Sequence, residues 1–195
     1  LAIVDAHKAV ARCAVTATGT ACHSSTPERG ENAVAKMVPI IEEINAFGRD
    51  LASTADDPRL GRPTLAITQI QGGTAINAIP DECHVYVDIR LLPEMAPHAV
   101  LDRLEDALHK HDATLTRLLA LPGFAHDLKG PVWETFADAL RAGGGESRPT
   151  AVHYATEAAY LSRLGPTLVW GPGDIAQAHG KNEFIELEQL RSAAR

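Results

Sequence analysis

"KAVARCAVTATGT", residues Lys8 to Thr20, begins the part of the chain that decides the fold. Apolar residues alternate there with small or polar ones, which predicts a strand that is buried on one face and ends near Gly19. The next stretch, "ERGENAVAKMVPIIEEINAFG" (28–48), places apolar residues three and four positions apart, as on one face of a helix. We expect this helix to end at Gly48 and to be kinked or broken at Pro39.

Three more strands and a second helix complete a compact pattern. "TLAITQIQ" (64–71) and "CHVYVDIRLL" (83–92) have the composition of strands, "APHAVLDRLEDALHKH" (96–111) that of a helix with Pro97 near its start, and "ATLTRLLAL" (113–121) that of a further strand. The resulting order, βαββαβ, is that of a ferredoxin-like unit with two layers. Residues 8–121 are therefore predicted to form a ferredoxin-like domain of the α+β class.

The remainder of the chain alternates strands and helices, which is typical of a parallel α/β sheet. Residues 131–144, 156–164 and 183–195 are predicted as helices, and residues 150–155 and 165–171 as strands. The chain starts without Met and already in strand-like sequence, "LAIV". We therefore expect residues 1–7 and 122–195 to belong to one α/β domain that carries the ferredoxin-like unit as an insertion, with its larger part upstream.

Composition limits the functions to consider. A net charge of −7 and a pI of about 5.7 argue against nucleic-acid binding, which requires a basic surface. No apolar stretch is long enough to span a bilayer, and the first residues do not resemble a signal peptide. The three cysteines lack CxxC spacing and fit a reducing compartment, so a cytoplasmic protein is expected.

Two loops contain candidate site residues. His23 lies in "GTACHSSTPERGENA" (19–33), where helix capping would explain the hydroxyl residues at 24–26 but not the imidazole. Asn77 lies in "GGTAINAIPDE" (72–82), where paired glycines favour a tight turn or a close approach of the backbone. A wide hairpin loop explains this second segment equally well.

Two other segments carry charged or metal-binding side chains. Asp88 and Arg90 of "VDIRLLP" are predicted on one face of a strand, either as an ordinary ion pair or as an anchor for a substrate carboxylate. Glu157 and His179 follow two short predicted strands, and ligand sites of open α/β sheets lie at the carboxyl ends of strands. Imidazole and carboxylate are metal ligands, but two candidates do not complete a metal site.

These four clusters, in this order, resemble the metal-dependent aminoacylase and peptidase superfamily M20, and most of all its acetylornithine deacetylases. "AHKAVARCAVTATGTACHSSTPERGENAV" is similar to the family's entry into its dimerisation or lid domain, and "GGTAINAIPDECHVYVDIRLLP" to its central hairpin. "TEAAYLSRLGPTLVWGPGDIAQAHGKNEFIELEQL" is similar to its C-terminal segment. The resemblance covers nearly the whole chain.

The resemblance implies hydrolysis of an N-acyl amino acid, such as N-acetylornithine, in arginine biosynthesis. By this resemblance, the protein forms a homodimer through the ferredoxin-like domain. His23 of one subunit then polarises the scissile carbonyl of the substrate in the active site of the other subunit. Asn77 and Arg90 contact the substrate, Arg90 through the carboxylate; Glu157 lies near the substrate, and His179 is a metal ligand. Two zinc or cobalt ions complete the family's site. The general base and the other metal ligands belong to its N-terminal portion, so this chain is expected to be incomplete for catalysis.

Two alternatives remain at the level of sequence. The ferredoxin-like unit could act as a non-catalytic dimerisation or binding module, through a sheet edge or a helix face. It could also be a small-molecule sensor, which would leave residues 122–195 without a role.

Overall fold

The computed structural model describes residues 3–144, 148–178 and 180–194, and within them nine strands and five α-helices. In chain order the strands and helices are β1 (Ile3–His7), β2 (Ala9–Thr18), β3 (Cys22–His23), α1 (Ala33–Ser53), β4 (Thr64–Gly72), β5 (Ala78–Ile79), β6 (Glu82–Leu91), α2 (Pro97–Leu108), β7 (Thr114–Leu121), β8 (Phe124–Ala125), α3 (Pro131–Ala142), β9 (Pro149–Val152), α4 (Ala158–Leu161) and α5 (Leu187–Ala193).

The chain divides into two compact units, Lys8–Gly123 and a discontinuous unit formed by Leu1–His7 and Phe124–Arg195. The first boundary follows His7, as in the predicted domain limits. The second lies two residues after the predicted limit at residue 121.

Unit Lys8–Gly123 is built on a four-stranded antiparallel sheet in the order β4-β6-β2-β7. Helices α1 and α2 pack on this sheet and against each other. The two central strands of this sheet, β2 and β6, are the first and the third strands of the predicted βαββαβ series. The predicted ferredoxin-like fold is therefore confirmed.

Strand alternation and helix periodicity together produce the core of this unit. Every second residue of β6 from Cys83 to Leu91 is buried, and so are the odd-numbered residues of β2 from Ala9 to Ala17. The helices bury residues at three- and four-residue spacing, as the sequence predicted. The buried helix residues in this core are Ala33, Met37, Ile40, Ile44, Phe47, Leu51, Val100, Leu101, Leu104 and Leu108.

Helix α1 is continuous through both of its expected interruptions. It continues past Gly48 to Ser53, where Thr54 Oγ1 donates to the carbonyl of Leu51 at 2.7 Å. A Cβ at Gly48 would lie 3.2 Å from Leu65 Cβ, so this glycine serves the close approach of β4 instead of ending the helix. Of the two outcomes predicted at Pro39, a kink or a break, the break is wrong, because the helix continues through this residue.

The second unit contains a mixed sheet in the order β8-β1-β9, in which β1 is parallel to β9 and antiparallel to β8. The predicted strand over 165–171 is wrong. Only Val169 forms a bridge, which is antiparallel and joins it to Val4. Glycine and proline at 165–166 and 171–173 explain the short pairing, because proline has no N–H for a ladder.

The helices of this unit that follow β9 are shorter than predicted. Helix α4 covers Ala158–Leu161 of the segment 156–164, and α5 covers Leu187–Ala193 of the segment 183–195. Across the described ranges, no helix has the length and apolar character that crossing a membrane requires.

Candidate functional site

His23 is held by its own loop and by a small two-stranded ribbon. Strand β3 pairs with β5, which places His23 opposite Ala78. The Ser25 backbone N–H donates to His23 Nδ1 at 3.2 Å, and Ser25 Oγ lies 2.8 Å from the same nitrogen. Because Nδ1 is an acceptor in this contact, a neutral His23 carries its proton on Nε2. The imidazole is exposed, so its Nε2–H is available to an external acceptor.

Close backbone contacts fix the position of the loop that carries His23. Thr20 and Glu31 exchange two backbone hydrogen bonds of 2.9 Å and close the loop at its base. Gly19 and Gly30 flank this bridge, and a Cβ at either would lie within 2.6 Å of neighbouring atoms. Two glycines of the motif therefore serve close approach of the backbone.

Capping explains less of this loop than the sequence suggested. Asn32, outside the hydroxyl run at 24–26, caps α1, because its Oδ1 accepts from the N–H groups of Val34 and Ala35 at 2.9 and 3.1 Å. Thr26 precedes a short 3-10 turn, Pro27–Arg29, without a side-chain cap. Capping of α1 is thus not the role of residues 24–26.

Asn77 lies beside His23. Its carbonyl accepts the Ser24 N–H at 3.0 Å, next to the β3–β5 pairing, and its side chain is exposed. The structure therefore brings together two candidates that are 54 positions apart in the sequence.

Arg90 lies on the sheet face opposite the helices, next to Asp88. Arg90 Nε donates to Asp88 Oδ1 at 2.6 Å, and Arg90 Nη2 donates to Asp88 Oδ2 at 3.3 Å. Arg12 of β2, which stands opposite Asp88 in the ladder, donates from Nε to Asp88 Oδ2 at 2.6 Å. One carboxylate therefore pairs with two guanidinium groups.

The two arginines control the ionisation of Asp88. Partial burial raises the pKa of the carboxyl, but the hydrogen bonds from Arg12 and Arg90 and the charges of both outweigh it, and the pKa lies below the ordinary value of aspartate. Asp88 therefore remains ionised, and the network keeps one net positive charge.

The pH dependence of the stability of the Asp88→Asn variant should test the ionic role of this network. Since the pKa is lowered by folding, Asp88 stabilises the native state above the pKa of unfolded aspartate, and this contribution is lost as the pH falls through the folded pKa. Urea unfolding from about pH 7 to about pH 3 should show a stability difference between wild type and variant that shrinks in acid. Asp127→Asn, at an exposed pair with Lys129, is the matched control and should change little. A difference of equal size at both pH values would contradict the ionic role of Asp88.

Glu157 belongs to the discontinuous unit. It precedes α4, and its side chain is exposed at the rim of a cleft lined by Thr156, Leu161 and Trp170. The neighbouring Thr156 N–H donates to Nε2 of the buried His7 at 3.2 Å, so His7 links β1 to this segment.

The predicted metal ligand His179 lies outside the described residues. Across residues 3–144, 148–178 and 180–194, no group of three or more His, Cys, Asp or Glu side chains is arranged to hold a metal ion. The described residues therefore do not provide a metal centre by themselves.

Sequence reasoning missed three contacts, two at candidate residues and one beside Glu157. Arg12 pairs with Asp88, Ser25 orients the His23 ring, and His7 holds the backbone of Thr156. The alternation of buried and exposed residues in β2 places Arg12 on the sheet face opposite the helices, but only the strand register shows that Arg12 stands opposite Asp88.

Comparison with protein families shows that residues 5–116 match the model of the M20 peptidase dimerisation domain. Among curated proteins, the chain is 33% identical over 189 residues to acetylornithine deacetylase of Proteus mirabilis, covering 94% of this chain and 49% of that protein. It is 32% identical over 194 residues to acetylornithine deacetylase of Edwardsiella ictaluri, covering 95% of this chain and 49% of that protein. The chain thus spans about half the length of the curated relatives it matches.

Solved structures with the same fold include two peptidases. Aminopeptidase PepT from Bacillus cereus superposes with a TM-score of 0.73 at 23% identity, over 99% of this chain and 51% of that one. A tripeptidase from Staphylococcus aureus superposes with a TM-score of 0.74 at 18% identity, over the same shares of the two chains. At these identities the likeness concerns the fold alone.

Proposed function

We propose that this chain, which belongs to the M20 peptidase family, is part of a deacylase that hydrolyses the amide bond of an N-acyl amino acid. The substrate class follows from the similarity to acetylornithine deacetylases along nearly the whole chain. The observation that supports a catalytic role most directly is the β3–β5 ribbon, which exposes His23 and brings the backbone of Asn77 against Ser24, the next residue.

His23 is proposed to act on the scissile carbonyl. With Nδ1 engaged by Ser25, the imidazole presents Nε2–H as a donor, which suits an oxygen that gains negative charge in the transition state. The Asn77 amide is a second donor to the substrate, and Glu157 is a further polar contact near it. These groups position the substrate and stabilise charge, and none of them is the general base.

The dimerisation domain supports a homodimer as the working form. Residues 5–116 match this domain and contain His23, Asn77 and Arg90. We propose that His23 of one protomer acts in the active site of its partner, in a dimer of the closed two-fold type.

Metal dependence is part of the same proposal, with zinc or cobalt as the ion and His179 as one ligand. The described residues hold no ligand set for such an ion. Titration of zinc or cobalt into the 195-residue chain after treatment with a chelator should therefore show less than one tightly bound ion per chain, since a stable zinc site needs three or four ligands. One or two tight ions per chain would show that the chain completes the site itself.

The assay that tests the function measures release of acetate from N-acetyl-L-ornithine by the complete natural protein. Arg90→Ala should raise KM about 10- to 100-fold, because a charge-assisted bidentate contact to the α-carboxylate is lost. The carboxamide analogue of the substrate should be affected little.

Arg117→Ala is the matched control for this variant. Arg117 is also an ion-paired arginine of the same sheet, but it pairs with Asp102 and Glu105 of α2. Unchanged KM in Arg90→Ala, or an equal change in both variants, would reject the anchor role of Arg90. Absence of deacylation in verified dimers would favour a non-catalytic dimerisation module, which is the second candidate because the matched family domain is one of dimerisation.

A further inference from the structure

Arg12 and Arg90 form a pair of guanidinium groups around one shared carboxylate. Both Nε atoms lie 2.6 Å from Asp88, each on a different oxygen. The Asp88 side chain is 19% exposed, while those of Arg12 and Arg90 are 47% and 29% exposed. The carboxylate is thus the inner member of the group, and the two arginines are its outer members.

The arginines keep most of their donors. A guanidinium has five N–H groups in a rigid plane. Arg12 uses its Nε, and Arg90 uses its Nε and one Nη2 proton; among the described residues neither has a further partner. The remaining N–H groups of the two arginines are therefore available to an additional oxyanion.

Small residues border the arginine pair on two sides. Ala66 of β4 stands opposite Asp88, on the side away from Arg12. Ala14 follows Arg12 on the same face of β2. Leu119 of β7 stands opposite Arg12, and Tyr86 precedes Asp88 on the same face of β6, so larger side chains border the group on its other sides.

The electrostatic setting favours an anion. Burial first, and then the charge of Arg90, lower the pKa of Lys8, while the charge of Asp57 raises it, so a third cationic side chain with an acidic neighbour lies near this group. The three cations exceed Asp88 and Asp57 by one positive charge, in a chain with a net charge of −7. Such a local positive site attracts anionic ligands that the rest of the surface repels.

We propose that Arg12 is a second binding arm for the substrate carboxylate, that it shares this anion with Arg90, and that Asp88 is the positioning residue that holds both guanidinium planes. The inference rests on the proposed function, which assigns the carboxylate to Arg90. A carboxylate offers two oxygens and about four lone-pair directions, enough to bridge two guanidinium groups. The pair makes the site selective for substrates with a free carboxylate over amides and esters.

The test follows the side-chain Nε–H signals of Arg12 and Arg90 by 15N NMR in the complete natural protein. N-acetyl-L-ornithine is the carboxylate probe, and N-acetyl-L-ornithinamide is the control ligand. Both arginine signals should shift with one common Kd for the carboxylate probe and remain in place for the amide. The signal of Arg117, paired with Asp102 and Glu105, is the internal reference.

Two variants of Arg12 distinguish the effect of its charge from that of its planar guanidinium group. Arg12→Gln should raise the Kd of the carboxylate probe about 10-fold, and Arg12→Lys about 3-fold, because lysine keeps the charge but loses the planar fork. The Kd of the amide should not change in either variant, nor should Arg117→Gln alter that of the carboxylate.

The outcomes distinguish this inference from the proposed function. If the Arg90 signal alone shifts, or if Arg12→Gln leaves the Kd unchanged, Arg12 is only an ion-pair partner of Asp88, and the anchor role of Arg90 stands. If neither signal shifts, the second arm and the Arg90 anchor are both overturned. The acetate-release assay then decides separately whether the complete protein is a deacylase.

Discussion

Replacing His23 by alanine is expected to lower kcat for N-acetyl-L-ornithine about 100- to 1,000-fold in the complete natural protein, with little change in KM. The reason is that a donor to the developing oxyanion acts mainly in the transition state, so its loss affects kcat more than binding. Steady-state kinetics on the purified dimer measure both constants. His98→Ala, at an exposed histidine of the same unit, is the matched control and should leave both constants unchanged.

Mixed dimers show in which subunit His23 acts. Chains with His23→Ala are combined with chains that carry His179→Ala, each inactive by itself under the proposal. If His23 acts across the dimer, one site in each mixed dimer is complete, and an equal mixture should regain about a quarter of the wild-type activity. No recovery in dimers verified as mixed would place His23 in the active site of its own chain.

Gly19→Ala is expected to lower the free energy of unfolding by about 3 kcal/mol, at the upper end of the usual cost of overpacking. A Cβ at Gly19 would lie 2.1 Å from the carbonyl oxygen of Glu31 and 3.0 Å from the nitrogen of Ala33. Both are backbone atoms and cannot turn away, so the Thr20–Glu31 bridge must separate or shift. Urea unfolding measures the loss.

The same substitution should also weaken the site, because the Thr20–Glu31 bridge closes the loop that holds His23. Gly165→Ala is the matched control: a Cβ there meets no atom within 4 Å, and stability should change little. A Gly19→Ala variant as stable as Gly165→Ala would mean that the loop relaxes without cost, and the close approach would then not be the reason for a glycine at position 19.

Local patterns predicted most of the ferredoxin-like unit. The period of two in β2 and β6 and the apolar stripes of α1 and α2 are produced by burial of one face of each element, so they are visible in the sequence. The prediction from local pattern was wrong where a residue is needed for a tertiary contact. Gly48 suggested a helix end, but its lack of a side chain instead accommodates Leu65 of β4.

The discontinuous unit was predicted less well, because its elements are short and few contacts define them. Residues 165–171 are apolar enough for a strand, but the flanking glycines and prolines limit pairing to Val169. The chain direction of a strand relative to its neighbours is not encoded in its own residues, so a mixed sheet formed where a parallel one was expected.

By itself, the sequence determined the order of the elements, the buried faces and the residue types available for chemistry, because these depend on local preference and on water exclusion. Only the tertiary structure decided which of these residues meet. The β3–β5 pairing places His23 beside Asn77, and the β2–β6 register places Arg12 opposite Asp88. The physical reason is that a pairing register depends on the packing of a whole face, since a shift of one residue would turn every side chain to the other side of the sheet.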